Sequence, residues 1–148
     1  MTFEIPGRPQ GKGRARHGNG HTYTPEGTRE YMDLIRYCFL QAGGKKTKFP
    51  VFVKIVVFMP IPQVFSKQMR LQALSGMILP QVKPDNDNTE KVVFDALNGF
   101  AWDDDTQIVE NMTVKRFSDD PKVFVEIKEA DTEFYKVNGK YRIKEKKE

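Results

Sequence analysis

The chain has 148 residues, of which 39% are hydrophobic and 30% charged, a balance that suits one globular domain with a modest core and excludes a disordered chain. No apolar run approaches bilayer-spanning length, since the longest candidate, 51–59, contains Lys54, and the N-terminal stretch lacks the apolar segment of a secretory signal. Cys38 is the single cysteine, so no intrachain disulfide forms and a reducing cytoplasm is the expected location.

In chain order, Phe3 to Pro6 reads as a short strand, and Gly7 to Gly20 as a flexible loop rich in Gly, Lys and Arg. Thr24-Pro25 is a good helix start, and Tyr31, Leu34, Ile35, Cys38 and Phe39 recur at helical spacing up to a stop at Gly43-Gly44. Phe49 to Met59 is β-branched and aromatic, which predicts a central strand ended by Pro60 and Pro62. Ser66 is placed to cap a second helix with Met69, Ala73 and Leu74 on its inner side. Asp87 or Asn88 is placed to cap a third, which reaches Leu97. Thr106 to Phe117 and Val123 to Lys128 read as strands, and Asn138-Gly139 between alternating runs signals a hairpin. The fold class is therefore α+β, a single domain with a mixed sheet and packed helices over residues 1–130. A C-terminal hairpin and basic tail follow over 131–148.

The net charge of +4 is unevenly spread. Residues 1–48 carry nine Lys/Arg against four Asp/Glu, 82–111 carry two against eight, and 136–148 carry six against two. A basic surface attracts polyanions by releasing their counterions, whereas an acidic cluster repels them. The two are compatible when a divalent cation stands between carboxylate and phosphate. The C-terminal lysine run is read as solvated surface charge.

The acid is concentrated in Lys83-Pro84-Asp85-Asn86-Asp87-Asn88-Thr89-Glu90-Lys91 and in Asp103-Asp104-Asp105. On a helix, Asp87, Lys91 and Asp95 share one stripe. Asp85 just before that helix, and Asp104 or Asp105 at the mouth of the next strand, are expected to face the same spot as Asp87. Mg²⁺ takes hard oxygen ligands, usually one or two carboxylates with waters and phosphates, so Asp85, Asp87 and one or two of the three consecutive aspartates suffice. Lys91 beside them would hold a phosphate oxygen or offset charge in a transition state. Metal-assisted phosphodiester hydrolysis is the matching reaction. Plainer readings stand beside these: an Asp87–Lys91 helix ion pair, Asp85 as a cap, Asp95 as a solvated position, and a polar turn at 103–105. An EF-hand starting at Asp85 fails, because Glu90 and Ala96 stand where Gly and Glu are needed. With only His17 and His21, a zinc site is poorly supported, and residues 7–20 hold no Walker pattern.

The segment from Lys83 to Glu110, KPDNDNTEKVVFDALNGFAWDDDTQIVE, resembles the core signature of RusA-type Holliday junction resolvases. The stretches IPGRPQGKGRAR (5–16) and YTPEGTREY (23–31) are similar to the same family, so the resemblance covers about residues 3–128. It implies a homodimeric, Mg²⁺-dependent endonuclease, with Mn²⁺ as a possible substitute, that nicks four-way DNA junctions in symmetric pairs. It also implies roles in recombination and repair, often in phages or prophages. The family's metal aspartates fall on Asp85, Asp87 and Asp105, its neighbouring acid on Asp104 and its essential lysine on Lys91. Asp103 makes a third consecutive acid, which leaves the assignment within that run open. Lys12, Arg14, Arg16 and Lys83 are the expected DNA-backbone contacts, and Trp102 is expected to pack the acidic loop onto the core. Two other functions remain open: a non-catalytic junction-binding architectural protein, and a nuclease for other branched DNA.

Overall fold

The computed structural model describes residues 1–13, 16–18, 20–23 and 26–145. Arg14 and the Thr24-Pro25 helix start lie outside the described residues, as does the side chain of Arg16.

The domain is built on a four-stranded mixed sheet in the order β1-β6-β4-β5. Its strands are β1 (Thr2–Pro6), β4 (Val51–Pro60), β5 (Ile108–Ser118) and β6 (Lys122–Glu129). β4 runs parallel to β5 and antiparallel to β6, and β1 is antiparallel to β6. The β-branched run around Phe49 is thus a central strand, as predicted. It alternates strictly, with Val51, Val53, Ile55, Val57 and Met59 buried, so only one face of the sheet carries the core.

Helices α1 (Glu26–Gln41) and α3 (Asn86–Leu97) meet each other over that core. Tyr31, Ile35 and Phe39 of α1 and Val92, Val93, Ala96 and Leu97 of α3 are buried there. Leu34 and Cys38, expected on the inner side, are only partly buried. α2 (Lys67–Leu74) is capped by Ser66, whose side chain accepts from Met69 N–H, as the sequence suggests. Its inner side is narrower than expected: only Ala73 is buried, while Met69 and Leu74 are exposed, because α2 touches little beyond β5.

The segment 7–20 departs from a plain loop. It contains β2 (Arg16–Gly18), which pairs with β3 (His21–Tyr23). Its earlier part is fastened to the helices: Lys12 N–H donates to the Asn88 carbonyl at 3.2 Å, and Gly13 N–H to Thr28 Oγ1 at 3.0 Å. A side chain at Gly11 would put its Cβ 2.9 Å from Pro84 Cβ and 3.0 Å from Asn88 Cβ, so glycine here permits a close approach.

The C-terminal hairpin consists of β7 (Phe134–Val137) and β8 (Lys140–Ile143). Asn138 and Gly139 both have positive φ, 50° and 76°, as a two-residue type I′ turn requires.

Trp102 is fully buried, donates from Nε1 to Asn98 Oδ1 at 2.7 Å and meets Phe94 edge-on. It therefore packs the start of the acidic turn onto α3, as expected from the sequence, and is not free to stack on a base. Trp102→Ala removes that volume and leaves Asn98 Oδ1 unpaired. Urea unfolding should show a loss of about 3–5 kcal/mol.

Candidate active site

The site is organised by α3. Asp85 is its N-cap, two or three residues earlier than expected: Oδ1 accepts from Asn88 N–H at 2.8 Å, and Asn86 begins the helix. The preceding Lys83–Pro84 peptide is cis, and Lys83 is exposed. From this start, α3 runs antiparallel to β5. Asn86 Nδ2 donates to the Thr113 carbonyl, and Glu90 Oε1 accepts from both Asn111 Nδ2 and Thr113 Oγ1. The N-terminal end of α3 therefore lies beside the middle of β5, and the C-terminal end beside the start of β5, where the acidic turn is.

That direction decides where the acids lie. Asp85 borders a shallow cleft shared with Thr113, Lys115 and Arg116. Asp87 and Lys91 form an i,i+4 ion pair at 3.1 Å, both well exposed, worth about 0.3–0.5 kcal/mol. Asp95, one turn further on, receives Lys12 Nζ at 2.5 Å. Lys12, expected on DNA phosphates, is thus paired with a carboxylate in the free protein, and Asp95 is an ion-pair member as well as a helix-surface residue.

Asp105 opens a 3₁₀ turn, Asp105–Gln107, with Asp104 just before it. Slight desolvation raises the Asp105 carboxyl from its ordinary value, and the nearby Asp104 and Asp95 carboxylates push it in the same direction. Asp103 is drawn away by Lys46, at 2.6 Å. Among the described residues, no three His, Cys, Asp or Glu side chains come together around one point. The expected convergence of Asp85, Asp87 and Asp105 on one spot is therefore not realised within a single chain. Asp85 is turned back onto its own helix, and ten residues of α3, roughly 15 Å, separate it from Asp95. The acids instead line an edge of α3, and the Lys12 segment crosses beside them. Their donor chemistry still suits a hard divalent cation, which needs only one or two protein carboxylates, and like charges at Asp104 and Asp105 favour such a counterion.

Gln107 is the residue whose role the sequence did not disclose. Its Oε1 accepts from Asp103 N–H at 2.8 Å and Asp104 N–H at 3.3 Å, and its Nε2 donates to the carbonyls of Thr47 (3.0 Å) and Phe49 (3.1 Å). One amide thus ties the acidic turn to the entrance of β4. Thr106 Oγ1 adds a bond to Asp104 Oδ2 at 2.9 Å. A long polar side chain after an acidic run was visible in the sequence, but its partners are sixty residues away.

The site thus combines a mixed sheet with carboxylates and paired lysines along one helix. Residues 6–128 match the family described as endodeoxyribonuclease RusA, and the chain belongs to that family. Membership places it among endodeoxyribonucleases. It is also similar to the uncharacterized protein YqaN of Bacillus subtilis strain 168, at 32% identity over 140 residues, covering 88% of this chain and 96% of that protein. Among the described residues, no helix is long and apolar enough to cross a membrane.

Proposed function

We propose that the protein is a Mg²⁺-dependent endonuclease that resolves four-way DNA junctions by paired, symmetric phosphodiester hydrolysis, acting as a homodimer. The observation that carries this reading is the edge of α3, where the Asp87–Lys91 and Lys12–Asp95 pairs lie along one helix and Asp95 is near enough to Asp105 to raise its carboxyl. Asp85, Asp87 and Asp105, with Asp104 in support, are the proposed ligands of the cation, although among the described residues they do not meet around one point in the free chain; Asp103 is occupied by Lys46. When bound, Mg²⁺ supplies charge stabilisation at the phosphate and a more acidic water.

The chain's own residues do the remaining work. Lys91 exchanges Asp87 for a phosphate oxygen, and Lys12 can do the same from Asp95, so both cations are held ready beside the acids they neutralise. Backbone contacts of this type fix position without reading sequence; Lys83, Arg14 and Arg16 extend them. A junction has near two-fold symmetry, and a C2 dimer presents two matching sites to opposite strands.

The test is cleavage of a synthetic four-way junction, with Mg²⁺ against EDTA, beside linear duplex and flapped DNA. Paired symmetric nicks that need Mg²⁺ and are absent on duplex are expected. The Lys12–Asp95, Lys46–Asp103 and Lys91–Asp87 pairs also suit a non-catalytic junction binder, whose acids only balance surface charge. Tight binding with no nicks at any Mg²⁺ or Mn²⁺ concentration would establish that second reading. Cleavage of flaps in preference to junctions would indicate a nuclease for other branched DNA.

A further inference from the structure

The acidic turn faces a second wall. A cleft of about 500 Å³ separates Asp103, Asp104 and Thr106 from the C-terminal hairpin, and Lys48, Lys136 and Tyr141 line its basic side. The hairpin lies beyond the family match, which ends at residue 128. From 134 to 145 it carries Lys136, Lys140, Arg142 and Lys144 against the single acid Glu145.

Packing explains only half of the hairpin. Tyr135 meets Phe49 edge-on at 5.3 Å, and Lys144 Nζ lies 5.4 Å from the Phe49 ring centre, so one face is anchored at the entrance of β4. The cross-strand pairs Phe134–Ile143 and Lys136–Tyr141 fall on the alternate face. There Tyr141 is 75% exposed, and Phe134 and Ile143 are also exposed. Lys136 Nζ lies 5.9 Å from the centre of the Tyr141 ring, which sets a cation beside an accessible aromatic face. Lysines opposite carboxylates suit neither a simple anion nor a simple cation. A nucleic-acid strand uses every part: phosphates against lysine, a base against tyrosine, and a phosphate shared through a cation with the acids.

We propose that the C-terminal hairpin is a DNA-contacting arm. Lys48 and Lys136 take phosphates of the strand that passes the acidic turn, and Tyr141 stacks on a base of that strand left unpaired near the branch point. The inference rests on the nuclease reading of the acidic turn, and the hairpin adds the path of the strand beside it.

The experiment uses the full chain and a fluorescent four-way junction in EDTA, with binding measured across a salt series. Wild type, the Lys48→Ala/Lys136→Ala double variant, Tyr141→Ala and Tyr141→Phe are compared, and wild-type cleavage in Mg²⁺ is measured alongside. The double variant should lower the slope of log affinity against log salt by roughly 1.5–2, the loss of two phosphate contacts. Tyr141→Ala should weaken binding about tenfold, and Tyr141→Phe should bind as wild type. Unchanged slope and affinity in a wild type that cleaves would overturn the arm and leave the nuclease intact. Weakened binding in a protein that never cleaves would keep the arm and remove the nuclease. If the variants alter sedimentation but not DNA affinity, the hairpin is a self-association surface and the arm is wrong.

Discussion

Asp85→Asn should lower junction cleavage by at least about 10³-fold while leaving junction affinity in EDTA and thermal stability close to wild type. The substitution separates two roles that the structure combines in one side chain. Asp85 Oδ1 caps α3 through Asn88 N–H, and asparagine keeps an oxygen for that bond. What it loses is the negative charge that a cation requires. Asp85→Ala loses both, and should add a stability cost of about 1 kcal/mol to the same catalytic defect. Measured together, the two variants assign the catalytic loss to charge and the stability loss to the cap. Were the Asn variant to cleave within about tenfold of wild type, Asp85 would be a cap and nothing more.

Gln107→Leu should reduce cleavage about 10²-fold although Gln107 touches neither phosphate nor cation in the proposed reaction. Its volume is nearly conserved, but four hydrogen bonds are lost at once, two to the acidic turn and two to the strand entrance. The carbonyls of Thr47 and Phe49 lose a shared donor, a stability cost of about 1–3 kcal/mol. The informative readout is the dependence of rate on Mg²⁺. A displaced Asp104–Asp105 turn raises the half-saturating Mg²⁺ concentration, whereas a simple loss of stability lowers the active fraction without moving it. Gln107→Glu is the companion variant: it keeps an acceptor for Asp103 and Asp104 N–H but sets a carboxylate against two carbonyls. It should resemble the Leu variant in stability. An unchanged Mg²⁺ profile in Gln107→Leu would reduce Gln107 to a structural tie.

Features carried by short-range chemistry were legible in the sequence. The alternation of β4, the Ser66 cap and the Asn138-Gly139 turn depend on neighbouring residues, and each appears where its residues predict. The start of α3 was misplaced because Asp85, Asp87 and Asn88 are all competent caps; the burial of Thr89 and the bond to Asn88 N–H select the first. The glycines of 7–20 read as freedom, yet Gly11 serves a close contact with Pro84 and Asn88 that no local pattern reveals. The kinds of residue proposed for the site, acids with a lysine, are read from the sequence alone. The stripe of Asp87, Lys91 and Asp95 was legible too; the distance between Asp85 and the acidic turn was not, since it follows from α3 running antiparallel to β5. Gln107 escaped for the same reason, its partners lying at Thr47 and Phe49.

The parallel pairing of β4 with β5 has a consequence for how the protein matures. Residues 61–107, which hold α2, α3 and the acidic turn, form one crossover between two strands that must find each other across that whole length. Such non-local closure is slow compared with helix formation. A newly made chain therefore has its carboxylates in hand well before they have a place to stand, since Gln107 can reach Thr47 and Phe49 only once β5 is beside β4. The Gln107 tie to the acidic turn therefore cannot form before β5 has paired with β4, and a chain stopped short of that pairing lacks it.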